Sequence, residues 1–218
     1  TIIVTLNPTA PELANLRLEP GQIVLGKYEI VRLLGAGGMG VVVAARHTEL
    51  GELVALKFMR ERGEQDAVRF MREARAAVKL RGEHVARVFD VARLDSGDPV
   101  LVMEYLSGES LAQVLQRMGR LDVGDAVRCA IEACEALSEA HALGIVHRDL
   151  KPSNLWLSQR SDGTPLVKVL DFGISKLAAE SELADPKLTE TQSIFGSPMY
   201  MSPEQIRSAK RVDHRTDV

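Results

Sequence analysis

A glycine run that ends in three valines, Gly35-Ala36-Gly37-Gly38-Met39-Gly40 followed by Val41-Val42-Val43, restricts the fold more than any other stretch of this chain. Its spacing is G-x-G-x-x-G, which alone fits an unliganded glycine-rich turn as well as a phosphate-binding loop. A dinucleotide-binding turn needs a helix to begin at the last glycine, whereas β-branched valines favour a strand there. A Walker P-loop needs Lys after its last glycine, where this chain has Val41. The solution left is a glycine-rich β-hairpin whose backbone approaches phosphates closely.

The surrounding pattern agrees with a hairpin. Residues 28–34, 41–46 and 53–59 read as short strands, with Gly51 in the second turn. Residues 67–81 change to helical spacing through Phe70, Met71, Ala74, Ala77 and Val78, with Gly82 as the stop. Strand-like runs at 86–94 and 99–105 follow, joined by Asp95-Ser96-Gly97-Asp98. Beyond Gly108 the chain turns helical, at 110–118 and at 123–143. In the longer helix Val123, Val127, Ile131, Cys134, Leu137 and His141 form the apolar stripe, and Gly144 stands at the end. These elements predict an α+β fold of two lobes. Residues 1–26, with Pro8, Pro11 and Pro20, are a leader outside the fold; 27–105 form a lobe of five antiparallel strands and one helix; 106–218 form a mainly helical lobe. The lobes join near Glu104 to Leu106, an arrangement that makes a cleft.

Composition narrows the class. The 218 residues carry a formal net charge of -3, with 45% hydrophobic and 26% charged residues, which excludes a disordered tail, a collagenous repeat and a wholesale nucleic-acid binder. Aromatics are only 4%, so the core is expected to rest on Val, Leu, Ile and Ala. Cys129 and Cys134 fall on different faces of one helix, where they cannot bridge, and this fits a reducing, cytoplasmic setting. No apolar run reaches membrane-spanning length, and the start lacks the pattern of a signal peptide. The chain begins with Thr1 rather than Met, so a piece of something longer is expected.

Strand alternation puts Lys57 on the face of Ala55, where a phosphate contact beneath the glycine loop is expected. Glu73 shares its helix face with Phe70 and Ala77, and a carboxylate there needs a partner, for which Lys57 is the nearest plausible candidate. The strongest stretch is His147-Arg148-Asp149-Leu150-Lys151-Pro152-Ser153-Asn154, followed by Asp171-Phe172-Gly173.

Together these residues resemble the protein kinases. Glycine loop, Val54-Ala55-Leu56-Lys57, the helix glutamate, H-R-D-x-x-x-x-N, D-F-G and Ser202-Pro203-Glu204 in place of A-P-E occur in order from Tyr28 to the end. The resemblance implies a two-lobed kinase fold using ATP and Mg²⁺. Asp149 would accept the hydrogen bond of the substrate hydroxyl and steer it, and Lys151 would neutralise the moving phosphoryl group. Asn154 and Asp171 would be the hard oxygen ligands of Mg²⁺. Leu34, Gly35, Ala36, Gly37, Gly38, Met39 and Gly40 would cover the nucleotide, with Lys57 and Glu73 as the pair behind it. Val42 and Ala55 would form the adenine ceiling, with Met103 before the hinge and Glu104 to Leu106 offering backbone groups. Trp156 falls where the family usually has a smaller aliphatic floor residue. His147 is expected to be structural.

The ending Met201-Ser202-Pro203-Glu204-Gln205 is similar to that of the bacterial serine/threonine branch, from which Ser197 and Val43 depart in place of threonine and tyrosine. Arg148 would pair with a phosphate on the activation segment, where Thr189 and Thr191 are the candidates. The partners implied are protein substrates with Ser or Thr and a second kinase molecule for autophosphorylation, without nucleic acid or a membrane segment. An inactive pseudokinase, acting as a nucleotide-binding or interaction module, is the rival reading. It ordinarily lacks the lysine, the catalytic aspartate or the metal aspartate, all present here as Lys57, Asp149 and Asp171. A small-molecule kinase would lack the Ser202-Pro203-Glu204 ending. Residues 213–218 resemble the start of a central helix in the second lobe, where Asp217 steadies the His147-Arg148-Asp149 loop. A second lobe ending there is expected to be incomplete, without an arginine for Glu204, and the isolated chain to have little activity.

Overall fold

A computed structural model describes residues 18–37, 40–59, 64–172, 198–207 and 212–218, without the side chains of residues 37, 64–69, 73 and 198. The chain divides into two compact units, one of residues 1–78 and 87–106, the other of residues 79–86 and 107–218.

In the first unit, strands β1 (Ile23–Val24), β2 (Tyr28–Gly37), β3 (Gly40–His47), β4 (Leu53–Met59), β5 (Val88–Arg93) and β6 (Pro99–Glu104) form a sheet in the order β1-β2-β3-β4-β6-β5. Every pairing is antiparallel. The five expected strands are present, and β1 is an addition from within the stretch set aside as leader: Ile23 pairs with Glu29 and Val24 with Tyr28. Val24 is buried in the core, and Gly26 at φ 69 makes the turn that so short a strand needs. The hairpin reading of the glycine run holds, with β2 continuing through Gly35 to Gly37 and pairing Gly37 with Gly40.

Strand alternation divides the sheet. Val41, Val43 and Ala45 on β3, Val54, Leu56 and Phe58 on β4, and Val100 and Val102 on β6 enter one core with Ile30. Each of these larger aliphatic side chains contributes roughly 1.5–3 kcal/mol on burial. The opposite face carries the alternate residues of the same strands. Helix α1 (Glu64–Ala77) packs against β5 and β6 and buries Phe70, Ala74 and Ala77. It ends before the expected stop at Gly82. The amides of Arg81 and Gly82 donate instead to the two Glu139 carboxylate oxygens at 2.7 and 2.9 Å, so the helix ladder cannot claim them.

Residues 79–86 therefore belong to the second unit, which corrects the single uninterrupted 27–105 lobe. Leu80 and Val85 sit in its core, and Val85 bridges Val169 in parallel. The unit's first helix, α2 (Leu111–Met118), opens on a capping box in which Gln113 N donates to Ser110 Oγ and Ser110 N to Gln113 Oε1. Helix α3 (Val123–Ala142) is capped by the Asp122 side chain. A three-stranded sheet of β7 (Glu109–Ser110), β8 (Leu155–Gln159) and β9 (Pro165–Val169) accompanies them, unanticipated in a lobe expected to be mainly helical.

The buried stripe of α3 also differs from the expected one. Cys129, Ala133, Ala136, Leu137 and Ala140 are buried, while Val123, Val127 and Ile131 are 80%, 52% and 54% exposed. Alanines win this face because their small side chains let β9 approach the helix, completing a core with Leu80, Val169 and Phe172. Cys129 is buried and Cys134 exposed, both unpaired, as expected of residues on different faces. Among the described residues no helix is long and apolar enough to cross a membrane.

The hairpin tolerates little at Gly40. Its φ is 143, and a Cβ there would overlap the Phe58 carbonyl oxygen, whereas nothing lies within 4 Å of the same position at Gly35. Gly40→Ala is therefore expected to cost about 2–4 kcal/mol in urea unfolding. Gly35→Ala should stay within about 1 kcal/mol of the parent.

Candidate active site

The segment 147–154 lies between α3 and β8; its end, Pro152–Asn154, is a 3₁₀ turn, and side chains hold the backbone before it. Asp217, buried in the 3₁₀ turn His214–Asp217, accepts from His147 N at 2.8 Å and Arg148 N at 2.7 Å. Its Oδ2 also lies 2.8 Å from His141 Nε2, which must donate because a carboxylate only accepts. Arg148 is thereby kept at φ 65, a conformation non-glycine residues avoid. The role expected for Asp217 from the family resemblance is matched by this geometry.

His147 is fully buried, edge-on to the Phe172 ring with centroids 5.0 Å apart. Its Nδ1 accepts from Asp149 N at 3.2 Å, so Nε2 carries the hydrogen donated to Leu170 O at 2.8 Å. The ring is a neutral spacer, as expected of a structural residue. Burial pushes its pKa below the ordinary imidazole range, with the Leu170 hydrogen bond and the nearby aspartates pulling the other way.

Asp149 lies next in the loop, its Oδ2 at 2.8 Å from Lys151 Nζ. Asn154 Nδ2 donates to the Asp149 carbonyl at 2.7 Å and to Asp149 Oδ2 at 3.2 Å. Asn154 itself is fixed by its amide to Lys151 O and by its carbonyl, which accepts from Leu170 N, each at 2.9 Å. Leu150 packs against the core and anchors the loop between Asp149 and Lys151. Asp171 follows β9 at φ 57, and Phe172 beside it is buried. The structure thus brings Arg148, Asp149, Lys151 and Asn154 into one bonded loop and sets Asp171 next to Leu170, whose amide braces Asn154.

Among the described residues no cluster of three or more His, Cys, Asp or Glu forms a metal cage. Mg²⁺ needs none, since it keeps waters and substrate phosphates in its shell and takes one or two protein oxygens. Asn154 fits such a role: its amide hydrogens are committed to Asp149, which leaves Oδ1 as the acceptor.

In the first unit, register assembles the other candidates. Val42 pairs with Lys57 and Lys57 with Leu101, while Ala44 pairs with Ala55 and Ala55 with Met103. Val42, Ala55 and Lys57 therefore share the sheet face opposite the core, and Lys57 is buried. Leu34 lies at the irregularity between the Leu33 and Gly35 pairings, beside Ala36. Glu104 N donates to Arg87 O at 2.9 Å, and Leu106 closes the unit. In the second unit the Trp156 indole donates to Ser107 O at 3.0 Å, and Trp156 pairs with Ser110 and Lys168. Gly38, Met39, Thr189 and Thr191 lie outside the described residues, as does the Glu73 side chain, so the expected Lys57–Glu73 pair stays an expectation.

Sequence reasoning missed Gln205, which is buried and donates from Nε2 to Arg148 O at 2.7 Å. A signal was available: Ser202-x-x-Gln205 is a capping-box pattern, and the box forms at α4 (Pro203–Arg207), with Gln205 N on Ser202 Oγ and Ser202 N on Gln205 Oε1.

The buried His147 makes a pH-dependent contribution. The unfolded imidazole gains a proton near about 6.5, while the folded ring stays neutral to lower pH, so below that value the unfolded state binds more protons. Stability should rise with pH across this window and fall as pH drops through it, by at most about 1.4 kcal/mol per pH unit from this group. Urea midpoints together with an NMR titration of the His147 ring check this. A ring that protonates in the native state at the ordinary value would contradict it.

A protein kinase domain model matches residues 28–218. The chain is 40% identical over 201 residues to serine/threonine-protein kinase Pkn3 of Myxococcus xanthus, covering 91% of this chain and 36% of that protein. It is 36% identical over 198 residues to serine/threonine-protein kinase PknB of Mycobacterium leprae, covering 88% of this chain and 30% of that protein. The chain thus spans about a third of the length of these curated relatives. The crystal structure of the Mycobacterium tuberculosis PknI kinase domain superposes with a TM-score of 0.71 at 27% identity, over 92% of this chain and 72% of that one. With that match running from the first long strand to the last residue, the chain belongs to the protein kinase family, among the bacterial serine/threonine kinases.

Proposed function

We propose that the protein transfers the γ-phosphoryl group of ATP to serine and threonine hydroxyls of other proteins and of its own activation segment, with Mg²⁺. The observation that carries this reading is the Asp149 carboxylate, held 2.8 Å from Lys151 Nζ and 3.2 Å from Asn154 Nδ2 on a backbone gripped by Asp217. Phosphoryl transfer asks a protein for position and charge and little covalent chemistry. Asp149 accepts the hydrogen bond of the incoming hydroxyl and aims its oxygen. Lys151, already paired with Asp149, places a cation where negative charge accumulates. Asn154, through Oδ1, and Asp171 hold Mg²⁺, which when bound neutralises charge on the phosphates. Lys57, with Glu73 behind it, contacts the phosphates, and the glycine hairpin from Leu34 to Gly40 covers them. Val42, Ala55 and Trp156 contact the adenine, and the backbone of Glu104 to Leu106 meets its edge.

Protein substrates and a second copy of the kinase, for autophosphorylation, are the proposed partners, with no nucleic acid among them. A cytoplasmic setting is proposed for the domain from its two thiols, Cys129 and Cys134.

Asp149→Asn in the full-length protein should lower phosphotransfer to a test peptide by roughly a hundred- to ten-thousand-fold while ATP binding stays near that of the parent. Unchanged turnover would remove Asp149 from this role. Thr189 or Thr191 is proposed to take up phosphate, whose negative charge Arg148 would pair. Double replacement by alanine should reduce activity, and mass spectrometry that finds both threonines bare in a fully active enzyme would count against the proposal.

A further inference from the structure

We propose that Gln205 is a positioning residue for phosphoryl transfer: by holding the Arg148 carbonyl it sets the peptide plane that carries Asp149. The inference rests on the role proposed for Asp149. The peptide between Arg148 and Asp149 is gripped at both ends, its carbonyl by Gln205 Nε2 at 2.7 Å and its N–H by His147 Nδ1 at 3.2 Å. One residue earlier, Arg148 N is held by Asp217 Oδ1 at 2.7 Å. Arg148 sits at φ 65 between these grips, so the natural relaxation on losing one is rotation of the peptide plane next to Asp149.

The orientation of the Gln205 amide follows from its neighbours. Arg148 O only accepts, so Nε2 faces it; Ser202 N only donates, at 3.1 Å, so Oε1 faces that side. Gln205 N in turn donates to Ser202 Oγ at 3.3 Å, so the backbone and the side chain of Gln205 are both tied to Ser202. Ser202 Oγ also lies 2.5 Å from Thr216 Oγ1, the neighbour of Asp217. The grip on the Arg148 carbonyl and the grip on its amide are therefore joined, and both report to one residue. Gln205 never meets the reacting atoms in this arrangement; its effect passes through the backbone of Asp149.

The test uses the full-length kinase with Gln205→Met, which keeps the volume and removes the donor, and Gln205→Glu, which keeps the acceptor for Ser202 N and sets a carboxylate against Arg148 O. Each variant should lose on the order of 10- to 100-fold in kcat, the scale of an ångström of misplacement, with KM for ATP and for peptide within about twofold of the parent. The Gln205→Glu carboxyl regains a donor when protonated, so its kcat relative to the parent should climb as pH falls from about 7.5 to about 5.5. With circular dichroism showing the variant folded across this range, a purely structural role predicts no such climb. If Gln205→Met also melts earlier, the pH ratio of Gln205→Glu decides: a flat ratio, or kcat within twofold of the parent in both variants, overturns the inference. Asp149→Asn in the same assay separates the two readings, because an inactive Asp149→Asn beside fully active Gln205 variants sinks only this one.

Discussion

The carboxylate of Asp217 is the constraint on which the second unit's chemistry depends. At 5% exposure it is met by two backbone amides and an imidazole, at 2.7 to 2.8 Å. A buried acid without such donors would cost several kcal/mol, and the amides of His147 and Arg148 without the acid would be buried orphans. Hydrogen bonds to a charged group contribute about 1.5–3 kcal/mol each, enough to offset the roughly 1–3 kcal/mol of a left-handed Arg148. The loop geometry that aims Asp149 is thus held by a residue far along the chain. His141, on the last turn of α3, extends the same network and ties the helix end to the loop.

The first unit reaches its arrangement by another route. Antiparallel register and the two-residue period put Val42, Ala55 and Lys57 on one face as soon as Val41, Val43, Leu56 and Phe58 enter the core on the other. A slip of one residue would turn Lys57 into that core and move Leu56 to the opposite face. The apolar pattern that builds the sheet therefore also selects the face on which the lysine stands.

This difference explains what was legible in the sequence. Strands, hairpin and the shared face of Ala55 and Lys57 follow from alternation, and the long helices from their spacing and their Asp122 and Ser110 caps. The stripe of α3 was misread because hydrophobicity ranks Val127 and Ile131 above Ala133, Ala136 and Ala140, whereas close packing against β9 ranks the small residues first. Strand β8 escaped notice because Leu155-Trp156-Leu157 carries no alternation and continues straight out of the polar loop. The assignment of 79–86 to the second unit rests on Glu139, 57 and 58 residues away, and no local pattern announces such a bond. Asp149, Lys151 and Asn154 were found through the motif they form. Gln205 lay beyond it, since a cap that also reaches a distant carbonyl looks in sequence like any other cap.

The placement of buried polar groups carries the contrast further. Among the described residues, every buried polar or charged side chain except Lys57 lies in the second unit: His84, Ser110, His147, Lys168, Gln205 and Asp217. A regular ladder would consume the amides and carbonyls of 147–154 and fix their directions at helical or extended values, neither of which gives Arg148 its φ of 65. An irregular loop frees those groups, and each then needs a partner because it is shielded from water. The partners are side chains from segments that are themselves pinned: Asp217 by His141, Gln205 by Ser202, and Ser202 by Thr216. Such a network is satisfied only when all its members are in place, since one missing member leaves a buried group unpaired on a neighbour. Losses at Asp217, Gln205 and His147 should then be strongly non-additive, the signature of groups that act as one unit. The geometry of this loop is in this sense as cooperative as a hydrophobic core, with hydrogen bonds doing what packing does elsewhere.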